Sequence, residues 1–164
     1  MSAITCEKAF ARQTIEGGNP RIEVYPEAAS QTFKKGELVY LVAGYVTACG
    51  ADPVNILGLA GEDAHNSTAG AYNVAVELAE PTVLFQMNIA SSTSAGSLAL
   101  TQAMLGTQGC LYIDSTNHLV YCKPLTYGST ARIVVEKFID AVGDTNAKVL
   151  VRFLSKFYAL YCSS

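Results

Sequence analysis

The chain of 164 residues has no tryptophan, little charge and no long apolar run. Charged residues make up 15% of it, and 14 acids against 11 bases leave a net charge of −3. The bases are scattered, with Lys34-Lys35 as the one adjacent pair. Nucleic-acid binders gather their bases on one face, so this distribution argues against a nucleic-acid partner. No apolar stretch approaches the roughly 18 residues that a spanning helix needs, so no membrane partner is expected. The start, MSAITCEKAFARQT, has no basic region followed by an apolar one, and no secretory signal is expected from it.

Chemistry-bearing motifs are missing too. There are two histidines, His65 and His118, each with at most one plausible co-ligand nearby, Asp63 or Cys122. A metal site needs three or four ligands, so no metal is expected. No GxSxG, HExxH, Cys-His or phosphate-cradling pattern occurs, and neither catalytic residues nor a cofactor are expected. The five cysteines, Cys6, Cys49, Cys110, Cys122 and Cys162, are odd in number, widely spaced and free of any CxxC. They read as reduced thiols packed as small apolar residues. A Cys110–Cys122 bridge is conceivable if those residues face each other across a symmetric hairpin. Glu62, Asp63, Glu77 and Glu80 flank turns or point outward and read as solvated carboxylates.

What the chain does have is a succession of short apolar runs cut by turn residues, the pattern of a small antiparallel β domain. Half of its residues are hydrophobic. A chain of this length buries roughly 70% of its unfolded surface, enough for a core without staples. The expected fold is mainly β: a small antiparallel barrel or sandwich, a second β-hairpin module, one short helix at most, and an extended N-terminal arm. Residues 1–20 form the arm, with an edge strand around Cys6–Gln13. Residues 21–90 form the barrel-like module, 91–109 a linker, 110–154 the second module and 155–164 an aromatic tail.

Within the first module Arg21–Tyr25 alternates, with Ile22 and Val24 on one face, as in a half-buried strand. Leu38–Val42 and Tyr45–Ala48 make a hairpin, and Val54–Ala60 is a strand bent at Gly58. Tyr72, Val74, Val76 and Leu78 point inward along the next strand, and Val83–Ile89 closes the module. Ser97–Leu105 is the one helix candidate, a short one, and Thr101–Gly109 reads equally as a loop with one helical turn. Cys110–Ile113 and His118–Cys122 flank a turn at Asp114–Asn117, and Ala131–Phe138 and Lys148–Phe153 complete the second module. Gly36–Ile89 and Cys110–Leu154 echo each other weakly, which leaves open two related β modules or one barrel with an appended hairpin.

Nine tyrosines and six phenylalanines supply amphipathic contact area, and a terminal Phe157-Tyr158-Ala-Leu-Tyr161 needs a surface to bury against. The candidate protein-interface residues are Phe10, Arg12 and Tyr25 near the arm, and Phe157, Tyr158 and Tyr161 in the tail.

Three stretches carry a family likeness: Lys35-Gly36-Glu37-Leu38-Val39, Ile56-Leu57-Gly58-Leu59-Ala60-Gly61-Glu62-Asp63-Ala64, and Val74-Ala75-Val76 through Phe85-Gln86-Met87-Asn88. Leu100-Thr101-Gln102-Ala103 and Gly143–Leu154 extend it, so that it covers roughly residues 32–155. In this order they resemble the capsid decoration (cement) proteins of tailed phages. The resemblance implies a β-rich virion protein, made in the host cytoplasm, that docks outside an assembled shell and bridges its subunits. It implies the major capsid protein lattice as partner, a homo-oligomer (a trimer before a dimer) and no catalytic residue. Two alternatives stand beside it: another virion β module of tail tube or baseplate, and a small ligand-binding or hydrolase barrel with Glu62, Asp63 and His65 as its site.

Overall fold

A computed structural model describes residues 2–51 and 53–160. The chain is mainly β, with eleven strands and three single turns of 3₁₀ helix among these residues. The strands are β1 (Phe10–Thr14), β2 (Ile22–Pro26), β3 (Leu38–Val42), β4 (Tyr45–Ala48), β5 (Gly58–Ala60), β6 (Asn73–Leu78), β7 (Val83–Ile89), β8 (Gln108–Asp114), β9 (Leu119–Pro124), β10 (Ile133–Phe138) and β11 (Lys148–Phe153).

They form two sheets of matching topology. The first runs β2-β6-β5-β3-β4, and its ends meet through one parallel bridge, Glu27 to Val46. The second runs β7-β11-β10-β8-β9 and closes into a five-stranded barrel by parallel pairing of β7 with β9, with β1 added antiparallel on β7. Strand for strand, β2 to β6 repeat as β7 to β11. The hydrogen bonds repeat as well. Gly36 N–H donates to Ala60 O as Gly106 does to Val135 O, and Ala60 N–H donates to Glu37 O as Val135 does to Thr107 O. Leu57 donates to Val39 as Arg132 does to Gly109, Ala79 to Leu57 as Leu154 to Arg132, and Ala28 to Val46 as Ala90 to Cys122. Gly36 and Gly106 both sit at positive φ, 89° and 74°, where a side chain is disfavoured. Of the two arrangements left open by the weak echo, the strand order is that of two related modules.

Each module has its own core. Val39, Val46, Leu57, Ala60, Val74, Val76 and Leu78 fill the first. Phe85, Met87, Ile89, Cys122, Ile133, Val149, Val151 and Phe153 fill the second, where Phe85 and Phe153 meet edge to face at 4.9 Å. Leu38, Ile56 and Leu59 of the first module join the second core, so the two modules are welded by apolar contact. Burying each such side chain contributes about 1.5–3 kcal/mol.

Several strand-level expectations are corrected. Val83–Ile89 does not close the first module; it is the fully buried central strand of the second sheet, and the strand sets meet between Leu78 and Val83. Every residue of β7 is buried, the polar Gln86 and Asn88 included, because β7 carries β11 on one edge and β1 and β9 on the other. Ser97–Leu105 holds only a 3₁₀ turn at Gln102–Met104, without a side-chain cap, because so short a segment cannot offset helix nucleation. Regular pairing in the Val54–Ala60 segment covers Gly58–Ala60 only. A Cβ on Gly58 would lie 1.9 Å from the carbonyl oxygen of Glu77, so a bare backbone lets β5 approach β6. Tyr72 is exposed, not inward, and stacks on His65 at 4.2 Å.

Ile22 and Val24 are exposed as well, at 59% and 60%, because the face of β2 that looks into the module carries Glu23 and Tyr25. Cys110 is paired with Lys123 and Leu111 with Cys122, so Cys110 and Cys122 lie on opposite faces of the hairpin and both are free thiols. The turn includes His118 at φ 55°, which shifts the register by one residue from the symmetric arrangement.

Candidate interaction surfaces

The arm is a strap across the second barrel. Ile4 N–H donates to Thr145 O at 2.8 Å, and Ser2 donates to Asp144 Oδ1 from both its N–H and its hydroxyl. These bonds, the backbone one first, hold the Asp144 carboxyl below its ordinary pKa. Glu7 N–H donates to Asn88 Oδ1 at 3.0 Å, and Asn88 Nδ2 donates to Thr5 O. Ala9 is buried between the modules. Under the strap, buried Tyr121 donates its hydroxyl to Asp114 Oδ2 at 3.1 Å. Burial alone would raise the Asp114 carboxyl, but bonds from the Asn117 side chain and backbone, Tyr121 and Thr116 pull it below the usual range.

The tail seals the other end of the pair. Phe157 O accepts the Ile56 N–H and Ala159 N–H donates to Ile56 O, both at 2.7 Å. Phe157 lies under the buried Arg132 guanidinium at 4.2 Å and near Lys156 at 4.9 Å. Arg132 also donates to Pro53 O and Ser129 O. Tyr158 packs against both cores, and burial, with Glu80 nearby, pushes its phenol up to about 12.

The candidate residues therefore fall into two groups. Phe10, at 37% exposure, lies opposite Gln86, and Arg12 donates to Gln86 Oε1 at 2.9 Å, both on the outside of the second sheet. Tyr25, Phe157 and Tyr158 are half-buried and already engaged within the chain. Tyr161 lies outside the described residues. Sequence reasoning missed the strongly exposed apolar side chains Ile22, Val24, Val54 and Tyr127. For Ile22 and Val24 the signal was the alternation itself, which marks a face without saying which side of the sheet is covered.

Both histidines are spent on glutamates of low exposure. His65 Nδ1 is 2.7 Å from Glu27 Oε2 while its N–H donates to Glu27 Oε1 at 2.8 Å, and His118 Nδ1 is 3.2 Å from Glu37 Oε2. Glu62 accepts the Ala75 N–H and Asp63 the Lys35 N–H, which holds the Asp63 carboxyl below its ordinary pKa. Glu62 and Asp63 thus each accept a backbone N–H, while His65 is engaged with the Glu27 carboxylate. Glu77 is half-buried and accepts the Ala11 N–H; burial raises its carboxyl, against the pull of that bond. Among the described residues no group of three or more His, Cys, Asp or Glu is arranged to hold a metal ion. Comparison with family models, curated proteins and solved structures returns no match.

Proposed function

We propose that this chain is a structural virion protein that decorates the outside of an assembled phage shell, bridging and stabilising shell subunits as a homo-oligomer. The observation that carries the reading is a welded pair of β modules with large apolar side chains left bare on it, Ile22, Val24, Val54 and Tyr127 among them. Bare apolar side chains on a packed β framework suit a protein that works by contact. A protein that binds the assembled lattice and not free subunits stabilises that lattice by mass action, and several contacts per oligomer add through effective concentration.

The test is cosedimentation of the purified chain with assembled phage shells and, separately, with unassembled shell subunits. Saturable binding to shells, none to subunits, and a higher temperature of shell disruption are expected. Absence of shell binding overturns the reading.

A further inference from the structure

β2 has an open edge. Leu78 N–H donates to Arg21 O across the β2–β6 ladder. By antiparallel alternation, the N–H and C=O groups of Ile22 and Val24 then point away from β6. Among the described residues no strand pairs with that edge until Glu27 reaches Val46. The internal repeat shows what such an edge accepts. Ile22 and Val24 correspond to Leu84 and Gln86 of β7, where β1 pairs antiparallel, Gln13 opposite Leu84 and Phe10 opposite Gln86. There Leu84 is 3% and Gln86 9% exposed, against 59% and 60% on β2. The chain has two such positions and one β1 to fill them.

We propose that the open edge of β2 docks a second copy of this chain, β2 against β2, antiparallel about a two-fold axis centred on Ile22. Charge fixes occupant and register together. Within one chain Arg21 donates to Glu23 at 2.9 Å and to Glu80 at 3.1 Å. Centred on Ile22, Arg21 of each copy also lies opposite Glu23 of the other, which joins the two ion pairs into one network across the axis, and the two Ile22 side chains meet on the bare face. Centred on Glu23, like charges would lie opposite each other, which is destabilising. Pro20, opposite Val24 of the second copy, accepts a hydrogen bond but has no N–H to give, so the ladder ends there. Between Arg21 and Tyr25 the edge has no lysine and no bulge, so what stands against pairing is the flanking Pro20 and Pro26 and the charges of Arg21 and Glu23, and the Ile22-centred register matches those charges. This pairing selects the dimer from the oligomers implied by the resemblance. It does not depend on the shell, so it stands or fails apart from the decoration reading.

Sedimentation equilibrium of the full chain without shells tests it. A monomer–dimer equilibrium is expected, weakened about tenfold or more by Ile22→Lys or Val24→Pro. Val24→Pro removes an N–H that faces away from β6 and fixes φ at a value edge strands tolerate, so an unchanged circular dichroism melt checks that the fold is kept. Arg21→Glu and Glu23→Arg are each expected to abolish dimers alone and to form a mixed dimer when combined, since the mixture again places opposite charges across the two-fold. A wild-type monomer at all concentrations, a trimer, a dimer indifferent to these variants, or a mixture that stays monomeric overturns the proposal.

Discussion

The side-chain amide of Asn88 donates to the main-chain carbonyl of Asn146 at 2.7 Å, and both residues are buried. This contact ties the central strand of the second barrel to the connection between its last two strands. From the same residue, the amide reaches Thr5 O and the carbonyl takes the Glu7 N–H, so one side chain also clamps the arm.

Asn88→Ala should therefore cost about 2–3 kcal/mol, because it strips a partner from the buried Asn146 carbonyl and two more from the arm. Urea denaturation measures the loss. Trypsin cleavage after Lys8 should accelerate in the same variant as the strap loosens.

Gly58→Ala should be far more damaging than its size suggests. The new Cβ would meet the Glu77 carbonyl at 1.9 Å, backbone against backbone, and a loss beyond about 4 kcal/mol or failure to fold is expected. Gly50→Ala, with nothing within 4 Å, should stay within about 0.5 kcal/mol and serves as control. Thermal melting of the two variants checks the contrast.

Acid stability should reflect two opposed carboxyls. Asp114 is held below its ordinary pKa of 3.8, so its stabilisation is present above that value and is lost as pH falls through the folded pKa. Glu77 is raised above 4.5, so its favourable share is present below 4.5 and is lost as pH rises through the folded pKa. Asp114→Asn should flatten the acid limb below about pH 4, and Glu77→Gln should gain stability relative to the parent at pH 7 compared with pH 4. Denaturation series from pH 2 to 8 would show both.

Tyr158→Ala should cost roughly 2–4 kcal/mol, since the ring is wedged against both cores. Removing residues 155–164 should then destabilise the fold as well as any docking, and differential scanning calorimetry measures this before binding is tested.

Cys110 and Cys122 should stay unbridged under mild oxidation, since the register places them on opposite faces of the hairpin. Native Cys49, whose thiol burial pushes up to about 12, should alkylate slowly with iodoacetamide. Peptide mass spectrometry reads both.

The sequence by itself determined the strands whose neighbours do not matter. Leu38–Val42, Tyr45–Ala48 and Lys148–Phe153 follow from local apolar runs and the turn residues around them, and all three form as read. Tertiary structure decided partners and faces. Val83–Ile89 is apolar enough for either sheet, and only the competition for its two edges placed it in the second. Ile22 and Val24 alternate like a core face, yet the barrel turned Tyr25 inward and left them bare. The repeat of β2–β6 as β7–β11 lay almost hidden in the sequence. It is written in backbone hydrogen bonds, which any side chain of suitable pattern can support, so register repeats where residue identity does not.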